Sequence, residues 1–130
     1  MAIEKTFNTK NFSYIEDNNL SWKATGLLTY LLKYNYNSNL LEHLTKVKTD
    51  GITSCKNVLI ELRKNNYCHY FELRQKGKII TTFYVAYDVP TSVTDKLIEE
   101  IFLEINGIII NDKKIKIDKE NFSLIYKNVI

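Results

Sequence analysis

The sequence predicts an α+β fold in which three helices are followed by a β-hairpin and then by a further helix and hairpin. Apolar residues recur at helical spacing in three consecutive segments that precede residue 67. Two runs rich in β-branched and aromatic residues then surround a short polar break, a pattern typical of a β-hairpin. With 130 residues, 45% of them hydrophobic, the chain is long enough to form one domain around its own core.

The first predicted elements are a short strand and a helix. Alternating side chains predict the strand at 11–16, and a stripe of leucines predicts a helix over 18–34 with Ser21 as its N-cap. Gly26 lies inside this helix, where glycine costs about 1 kcal/mol relative to alanine. We therefore expect another element to pack closely against Gly26.

A helix-turn-helix is predicted next. Residues 37–51 form a short amphipathic helix that ends in the turn residues Thr-Asp-Gly, and residues 52–66 form a second one. Asn66 ends the second helix, because asparagine tolerates the left-handed backbone conformation.

A hairpin follows the helix-turn-helix directly, with strands predicted at 67–74 and 79–88. Its tip carries Arg74, Lys76 and Lys78, and since residues 73–82 contain no acid, no nearby acidic residue is expected to neutralise them. A helix-turn-helix followed by a basic hairpin is the layout of a winged helix, in which the hairpin is the wing.

Pro90 separates the predicted winged helix-turn-helix DNA-binding domain, 1–90, from a C-terminal extension, 91–130. An extension of this size cannot bury enough surface to fold alone. We hypothesise that its wide apolar stripe forms a homodimer, and the alternative is a monomer whose tail completes its own sheet. The predicted parts of the extension are a helix over 92–107 with a capping box at Ser92 and Asp95, a hairpin over 108–117, and a segment, 118–130, that fits either strand or helix.

The first helix and the step from the third helix into the hairpin carry a family pattern. Its residues are Leu20, Ser21, Lys23, Ala24, Gly26, Leu27, Leu28 and Tyr30, followed by Leu62 and Tyr67. With these residues the chain resembles, over 11–90, the winged helix-turn-helix domains at the N-termini of phage replisome organisers and of initiators and accessory proteins encoded on plasmids of low-GC Gram-positive bacteria. The resemblance implies DNA binding by a mobile-element protein.

Two features depart from that family pattern. Asn66 stands where glycine is usual, but asparagine accommodates the same backbone geometry. Replisome organisers also continue into a second helical domain of considerable size, whereas this sequence has only residues 91–130 after the wing. The resemblance therefore favours a short accessory protein for plasmid transfer, partition or replication control over a replisome loader.

Positive charge is concentrated in the middle of the chain. Residues 42–78 contain eight Lys or Arg and four Asp or Glu, whereas 91–130 contain six and seven. This distribution indicates either a polyanionic partner or a solvated basic face. The Asn, Thr, Ser and Lys side chains opposite the apolar stripe of the third helix are types that contact bases or phosphates. The predicted DNA-binding residues are Thr53, Ser54, Lys56, Asn57, Lys64, Arg74, Gln75, Lys76 and Lys78.

The wing is expected to contribute at least as much DNA affinity as the helix. The helix face is only weakly basic, because Glu61 offsets Lys56, Arg63 and Lys64, and it includes the apolar Ile60. A cluster of like charge on a narrow tip is favourable when phosphates are the partner. The alternative is that the Lys-Gly-Lys tip is a solvated turn.

Motifs of other function classes are absent from the sequence. No Gly-rich phosphate loop, zinc-ligand spacing, nucleophile arrangement or His-hydrophobe-His cluster of a DNA-nicking enzyme occurs, and we expect no enzymatic activity, metal or cofactor. His43 and His69 are expected to be hydrogen-bonded, and Cys55 and Cys68 to be reduced and buried. No stretch reaches the length of a membrane span or forms a signal peptide, which predicts a cytoplasmic protein without membrane contact.

These observations predict a protein that binds double-stranded DNA sequence-specifically, as a plasmid or phage accessory factor at an origin of replication or conjugative transfer. Its expected partners are duplex DNA, a second copy of the chain and other replication or transfer proteins. Two alternatives stay open. One is a transcriptional repressor, and the other is a winged-helix protein–protein interaction module, which an exposed Ile60 would favour.

Overall fold

The structure, a computed structural model, is mixed α+β and describes residues 11–33, 40–105, 109–110, 113–114 and 117–128. Within these ranges the helices are α1 (Trp22–Lys33), α2 (Leu40–Val47), α3 (Ile52–Lys64) and α4 (Asp95–Glu104). The strands are β1 (Cys68–Gln75), β2 (Lys78–Ala86), β3 (Ile109–Ile110), β4 (Lys113–Lys114) and β5 (Phe122–Tyr126). The predicted α+β class is confirmed.

A three-stranded antiparallel sheet organises the described chain, in the order β2-β1-β5. The central strand β1 pairs with β2 along its whole length and with β5 over its second half, so that Phe71 lies opposite both Phe83 and Tyr126. The C-terminal segment that fitted either strand or helix therefore contains a strand.

The side chains of β1 alternate between two hydrophobic cores, because successive residues of a strand point to opposite faces. Cys68 joins the first core, which α1, α2 and α3 build around Leu28, Leu59 and Leu62. Phe71 and Leu73 belong to the second core, which lies between the sheet and α4. The other buried members of the second core are Phe83, Val85, Ile101, Phe102, Ile105, Ile117, Phe122 and Leu124.

The apolar stripe of α4 is buried inside the chain. Ile101, Phe102 and Ile105 all belong to the second core, against the hairpin and β5. The described part of the tail thus completes the sheet of its own chain. Leu103 of α4 is 67% exposed, and the homodimer stays a prediction.

The predicted helix-turn-helix segments form helices α2 and α3, which are joined by residues 48–51. Ser21 caps α1 as predicted, since its Oγ accepts the Ala24 N–H at 3.1 Å. Asn66 has φ 64°, which confirms the left-handed residue at the end of α3. The predicted last residue of the first helix, 34, and the predicted first residue of the second helix, 37, lie outside the described residues.

The predicted strand at 11–16 is wrong, because Ser13–Glu16 form a turn of 3-10 helix. Local polar side chains favour the turn: Asn11 Oδ1 accepts the Ser13 N–H, and Asp17 Oδ1 accepts the Asn19 N–H. Tyr14 alone is buried in this turn, and its hydroxyl lies 2.8 Å from Thr29 Oγ1. A single anchored side chain does not require an extended backbone.

The predicted close packing at Gly26 is also wrong. A Cβ atom built on Gly26 would have no heavy atom within 4 Å, and the residue is exposed on α1. The glycine is therefore not required by a neighbouring element.

The predicted capping box at Ser92 and Asp95 is wrong, because α4 begins at Asp95. Thr94, not Ser92, is the N-cap, and its Oγ1 accepts the Leu97 N–H at 3.2 Å. The chain before α4 stays extended because the Thr91 N–H donates to the Asn66 carbonyl oxygen at 2.8 Å. The predicted hairpin at 108–117 is confirmed by the pairing of β3 with β4, while the predicted stop at Gly107 lies outside the described residues.

His69 links the start of β1 to the segment before α4 and to β5. Its Nε2 donates to the Thr91 carbonyl oxygen, and its Nδ1 lies 3.4 Å from the Tyr126 hydroxyl, which itself donates to Asn128 Oδ1. Burial of the ring lowers the pKa of His69 below its ordinary value of 6.5. The histidine is hydrogen-bonded, as predicted, and its neutral form is the one that fits the fold.

Replacing Gly26 by alanine should raise the free energy of unfolding by about 1 kcal/mol, because the helix gains propensity and meets no clash. The matched control is Gly77→Ala in the hairpin turn, where φ is 83° and the space is equally open. That change should lower stability by about 1–2 kcal/mol through backbone strain alone. Urea unfolding of both variants measures the contrast, and a destabilised Gly26→Ala protein would contradict it.

Acid should destabilise the protein through His69. Below pH about 6.5 the unfolded chain binds a proton that the buried, neutral imidazole does not, so stability falls as the pH drops from there towards the lowered folded pKa. The loss is at most about 1.4 kcal/mol per pH unit. Urea unfolding between pH 7.5 and 5 gives the free energy of unfolding at each pH. This free energy should depend less on pH in His69→Gln than in His43→Gln. Equal slopes in the two variants would rule out His69 as the source.

Candidate nucleic-acid interface

The solvent-facing side of α3 carries four of the predicted DNA-binding residues. Thr53, Lys56, Asn57 and Lys64 are all exposed, at positions that fall on one face of a helix. Neither Lys56 nor Lys64 forms an ion pair with a residue that the structure describes. This face therefore offers two uncompensated ammonium groups beside one amide and one hydroxyl.

Ser54 and Ile60 lie differently from their predicted positions. Ser54 is half-buried at the side of α3 that faces α1, and its hydroxyl is 3.4 Å from Asp50 Oδ2. Ile60 is half-buried rather than exposed, because it lies closer to the packed side of the helix. The apolar spot that favoured a protein-interaction module is therefore smaller than the sequence indicated.

The carboxylate of Glu61 is directed to the start of α1 and not to the lysines of α3. Its two carboxylate oxygens accept the Ser21 N–H at 2.7 Å and the Ser21 hydroxyl at 3.0 Å. A carboxylate at a helix N-terminus is favourable, since it meets the unpaired N–H groups and the positive end of the helix dipole. Glu61 thus joins the two helices, a long-range role that spacing along α3 did not reveal.

Arg63 is directed away from the exposed face of α3 as well. Its Nη2 donates to the Lys127 carbonyl oxygen at 2.7 Å, and its guanidinium carbon lies 5.7 Å from the centre of the Tyr70 ring. Arg63 connects α3 to the sheet and to the residue after β5. Of the four charges predicted along 52–65, only those of Lys56 and Lys64 remain on the exposed face.

The tip of the hairpin is a two-residue turn. Gln75 pairs with Lys78, which leaves Lys76 and Gly77 as the loop, with φ values of 50° and 83°. Positive φ at both loop positions is the pattern of a type I′ turn, whose twist matches that of the flanking strands. Lysine at positive φ is uncommon, since Gly, Asn and Asp are the usual residues there.

The C-terminal segment braces the tip. The Lys76 N–H donates to the Asn121 carbonyl oxygen at 2.9 Å, while Gln75 lies opposite Phe122 of β5. Asn121 is itself held by Asp118, whose Oδ1 accepts the Asn121 N–H at 3.0 Å. The tip therefore rests on a third strand and its preceding turn.

Arg74 does have an acidic partner, contrary to the prediction. Its Nη2 is 2.9 Å from Glu72 Oε1, two residues earlier on the same face of β1, and Lys127 Nζ reaches the same oxygen at 3.8 Å. The Glu72 residue is only 8% exposed. The acid lies just outside the acid-free stretch, and strand alternation brings it beside Arg74. Arg74 is thus part of an ion-pair cluster with Glu72 and Lys127.

Lys76 and Lys78 differ from Arg74 in having no such partner. Both are exposed, and neither forms an ion pair with any part of the chain that the structure describes. Gln75 is half-buried between its strand neighbours. The cationic part of the tip is therefore Lys76 and Lys78, with Arg74 held behind them.

Other titratable residues serve the fold. Cys55 and Cys68 are buried and free, and burial raises the pKa of the Cys68 thiol to about 12, which keeps it protonated. The hydroxyl of Tyr30 lies 2.6 Å from His43 Nε2, which gives this second histidine the hydrogen-bonded role predicted for it. Each of these groups has a structural explanation within the cores.

The described residues contain neither a metal-binding cluster nor a helix suited to a membrane. Within these ranges no group of three or more His, Cys, Asp or Glu is arranged to hold a metal ion. No helix among them has both the length and the apolar character that crossing a membrane requires. Comparison with known protein families, curated proteins and solved structures finds no match to this chain.

Proposed function

We propose that this chain is a non-enzymatic winged helix-turn-helix protein that binds double-stranded DNA through α3 and the β1–β2 hairpin. The biological setting that the sequence resemblance suggests is a plasmid or phage accessory function at an origin of replication or transfer. Cytoplasmic localisation belongs to the same proposal.

One observation carries the proposal: four exposed lysines, on the successive elements α3 and the hairpin tip, have no carboxylate partner among the described residues. Lys56, Lys64, Lys76 and Lys78 form this set. Nearby Arg74 pairs with an acid. Partnerless cations on two successive elements suit a phosphate backbone, because binding releases its counterions.

The spacing of the two elements supports contact with a duplex. Seven residue steps separate Cys68, just after α3, from Gln75 at the tip. At about 3.3 Å per residue the tip lies about 23 Å along β1 from its start. A turn of B-DNA rises about 34 Å, so a strand of this length is short enough for the tip to contact a phosphate backbone near a groove that α3 occupies. In this arrangement Asn57 and Thr53 face the bases, while the lysines contact phosphates.

A protein-interaction module is the second candidate, and exposed apolar side chains favour it. Trp22 is 86% exposed and Ile52, at the start of α3, is 60% exposed. Duplex binding that is weak and indifferent to sequence at physiological salt would favour this candidate over sequence-specific DNA binding.

Removing the two tip lysines should reduce the salt dependence of DNA binding. We expect Lys76→Asn with Lys78→Gln to lower the slope of log K against log salt by about 1.8, or about 0.9 for each phosphate that the protein no longer neutralises. Asparagine is chosen because it tolerates the positive φ of residue 76, so the turn persists. Fluorescence anisotropy with plasmid-origin duplex over a salt series gives the slope.

The control for the tip variant is Lys96→Gln, which removes a charge from the exposed side of α4. This change should leave the slope of log K against log salt unchanged. If the double tip variant keeps the slope of the unaltered protein, the wing does not contact DNA. In that case the Lys-Gly-Lys sequence is a solvated turn.

Asn57 should contribute to the DNA sequence specificity of binding. We expect Asn57→Ala to narrow the affinity difference between a footprinted site and a scrambled duplex by about 1–3 kcal/mol, since an amide reads adenine by paired hydrogen bonds. Lys64→Gln, further along the same face of α3, should instead weaken both complexes equally. If Asn57→Ala lost the same affinity for the footprinted and the scrambled duplex, this residue would not read a base.

A further inference from the structure

A groove of about 310 Å³ lies between the three helices of the first core, beside the exposed face of α3. Leu27 and Tyr30 of α1 form one wall, and Leu44 of α2 and Val58 of α3 contribute the others. The volume lies within the range of small-molecule sites, which are concave and mostly apolar. None of the duplex contacts proposed above requires this groove.

The described residues leave apolar surface exposed at the mouth of the groove. Trp22, in the first turn of α1, is 86% exposed, and Val47, at the end of α2, is 41% exposed. Gly26 lines the groove between them and leaves it open, because no heavy atom lies within 4 Å of where its Cβ would be. A glycine that is not needed for packing thus keeps space free beside the most exposed aromatic side chain among the described residues.

The charged side chains at the rim indicate which charge a bound molecule should carry. Lys23 and Lys48 line the groove from α1 and from the end of α2, and neither forms an ion pair with a described residue. Asp50 also lines it and accepts from the Ser54 hydroxyl at 3.4 Å, so that the rim carries two positive charges and one negative charge. An apolar cavity with two unpaired ammonium groups complements an apolar molecule that carries an acidic group.

We propose that this groove binds a small amphipathic organic anion, with its apolar ring or chain against Trp22, Leu27 and Val58 and its carboxylate or sulfonate between Lys23 and Lys48. This inference goes beyond the proposed DNA binding and does not depend on it. The small volume and the three enclosing helices favour a compact molecule over a partner helix.

The probe for this site is 8-anilinonaphthalene-1-sulfonate, an aromatic anion whose fluorescence rises in apolar surroundings. Trp22 is the single tryptophan of the chain and lines the groove, so its emission reports occupancy directly. We expect saturable binding at one site, with quenching of Trp22. The uncharged analogue with the same rings, N-phenyl-1-naphthylamine, should bind at least about fivefold more weakly.

Two matched variants locate the site. Gly26→Leu adds a side chain into the groove without a backbone clash and should weaken probe binding at least about tenfold, whereas Gly26→Ala should leave it nearly unchanged. Lys23→Gln with Lys48→Gln should remove the preference for the sulfonate over the uncharged analogue. Urea unfolding of each variant confirms that the fold is intact.

Three results would overturn the inference. Absence of saturable probe binding, or binding that Gly26→Leu does not weaken, would show that the groove is not the site. Equal binding of the charged and uncharged probes would overturn the anion assignment and favour an apolar docking face for a protein. DNA binding is measured separately with Lys76→Asn and Lys78→Gln, so failure here leaves that proposal standing.

Discussion

The double pairing of β1 is the constraint on which the rest of the structure depends. This strand begins shortly after α3 and hydrogen-bonds to β2 on one side and to β5 on the other. Its alternating side chains serve both cores, with Cys68 among the helices and Phe71 and Leu73 against α4. A slip of one residue would exchange these two faces, so the hydrophobic pattern specifies the register strongly. The helical unit and the C-terminal extension are therefore joined through the same strand.

Pairing with β5 makes the β1–β2 hairpin more stable than an isolated hairpin. A two-stranded hairpin alone is marginally stable in water, whereas three strands with a covered face are stable. Here β5 adds the third strand, α4 covers one face, and Asn121 holds the backbone of Lys76 at the turn. The tip lysines consequently project from a rigid support, although their own side chains remain solvated. Ordering the backbone at the tip on binding a ligand would then cost less than in a free loop.

Local sequence patterns correctly predicted the features that interactions between near neighbours in the sequence determine. Helical periodicity located α1 to α4, the Gln-Lys-Gly-Lys break located the hairpin, and the left-handed residue after α3 followed from Asn66. The missed features mostly depend on partners distant in sequence: Glu61 binds Ser21, and the residues around Arg63 and Glu72 meet the tail at Lys127. Alternation within one strand would have indicated the Arg74–Glu72 pair, because positions two apart share a face.

Gly26 shows the opposite error, in which a local rule suggested packing that is absent. Glycine in a helix interior implies either a close neighbour or a space that is kept open, and the sequence does not distinguish these cases. The structure shows the second, at the groove beside Trp22. The groove wall includes Asp50, just before α3, and Ser54, in its first turn, and Asn57 lies one turn after Ser54 on the neighbouring exposed face. An occupant of the groove and a duplex on the exposed face would therefore contact adjacent faces of the same helix. Any shift of α3 that favours one ligand over the other would therefore couple their affinities, and by linkage the coupling would be equal in both directions.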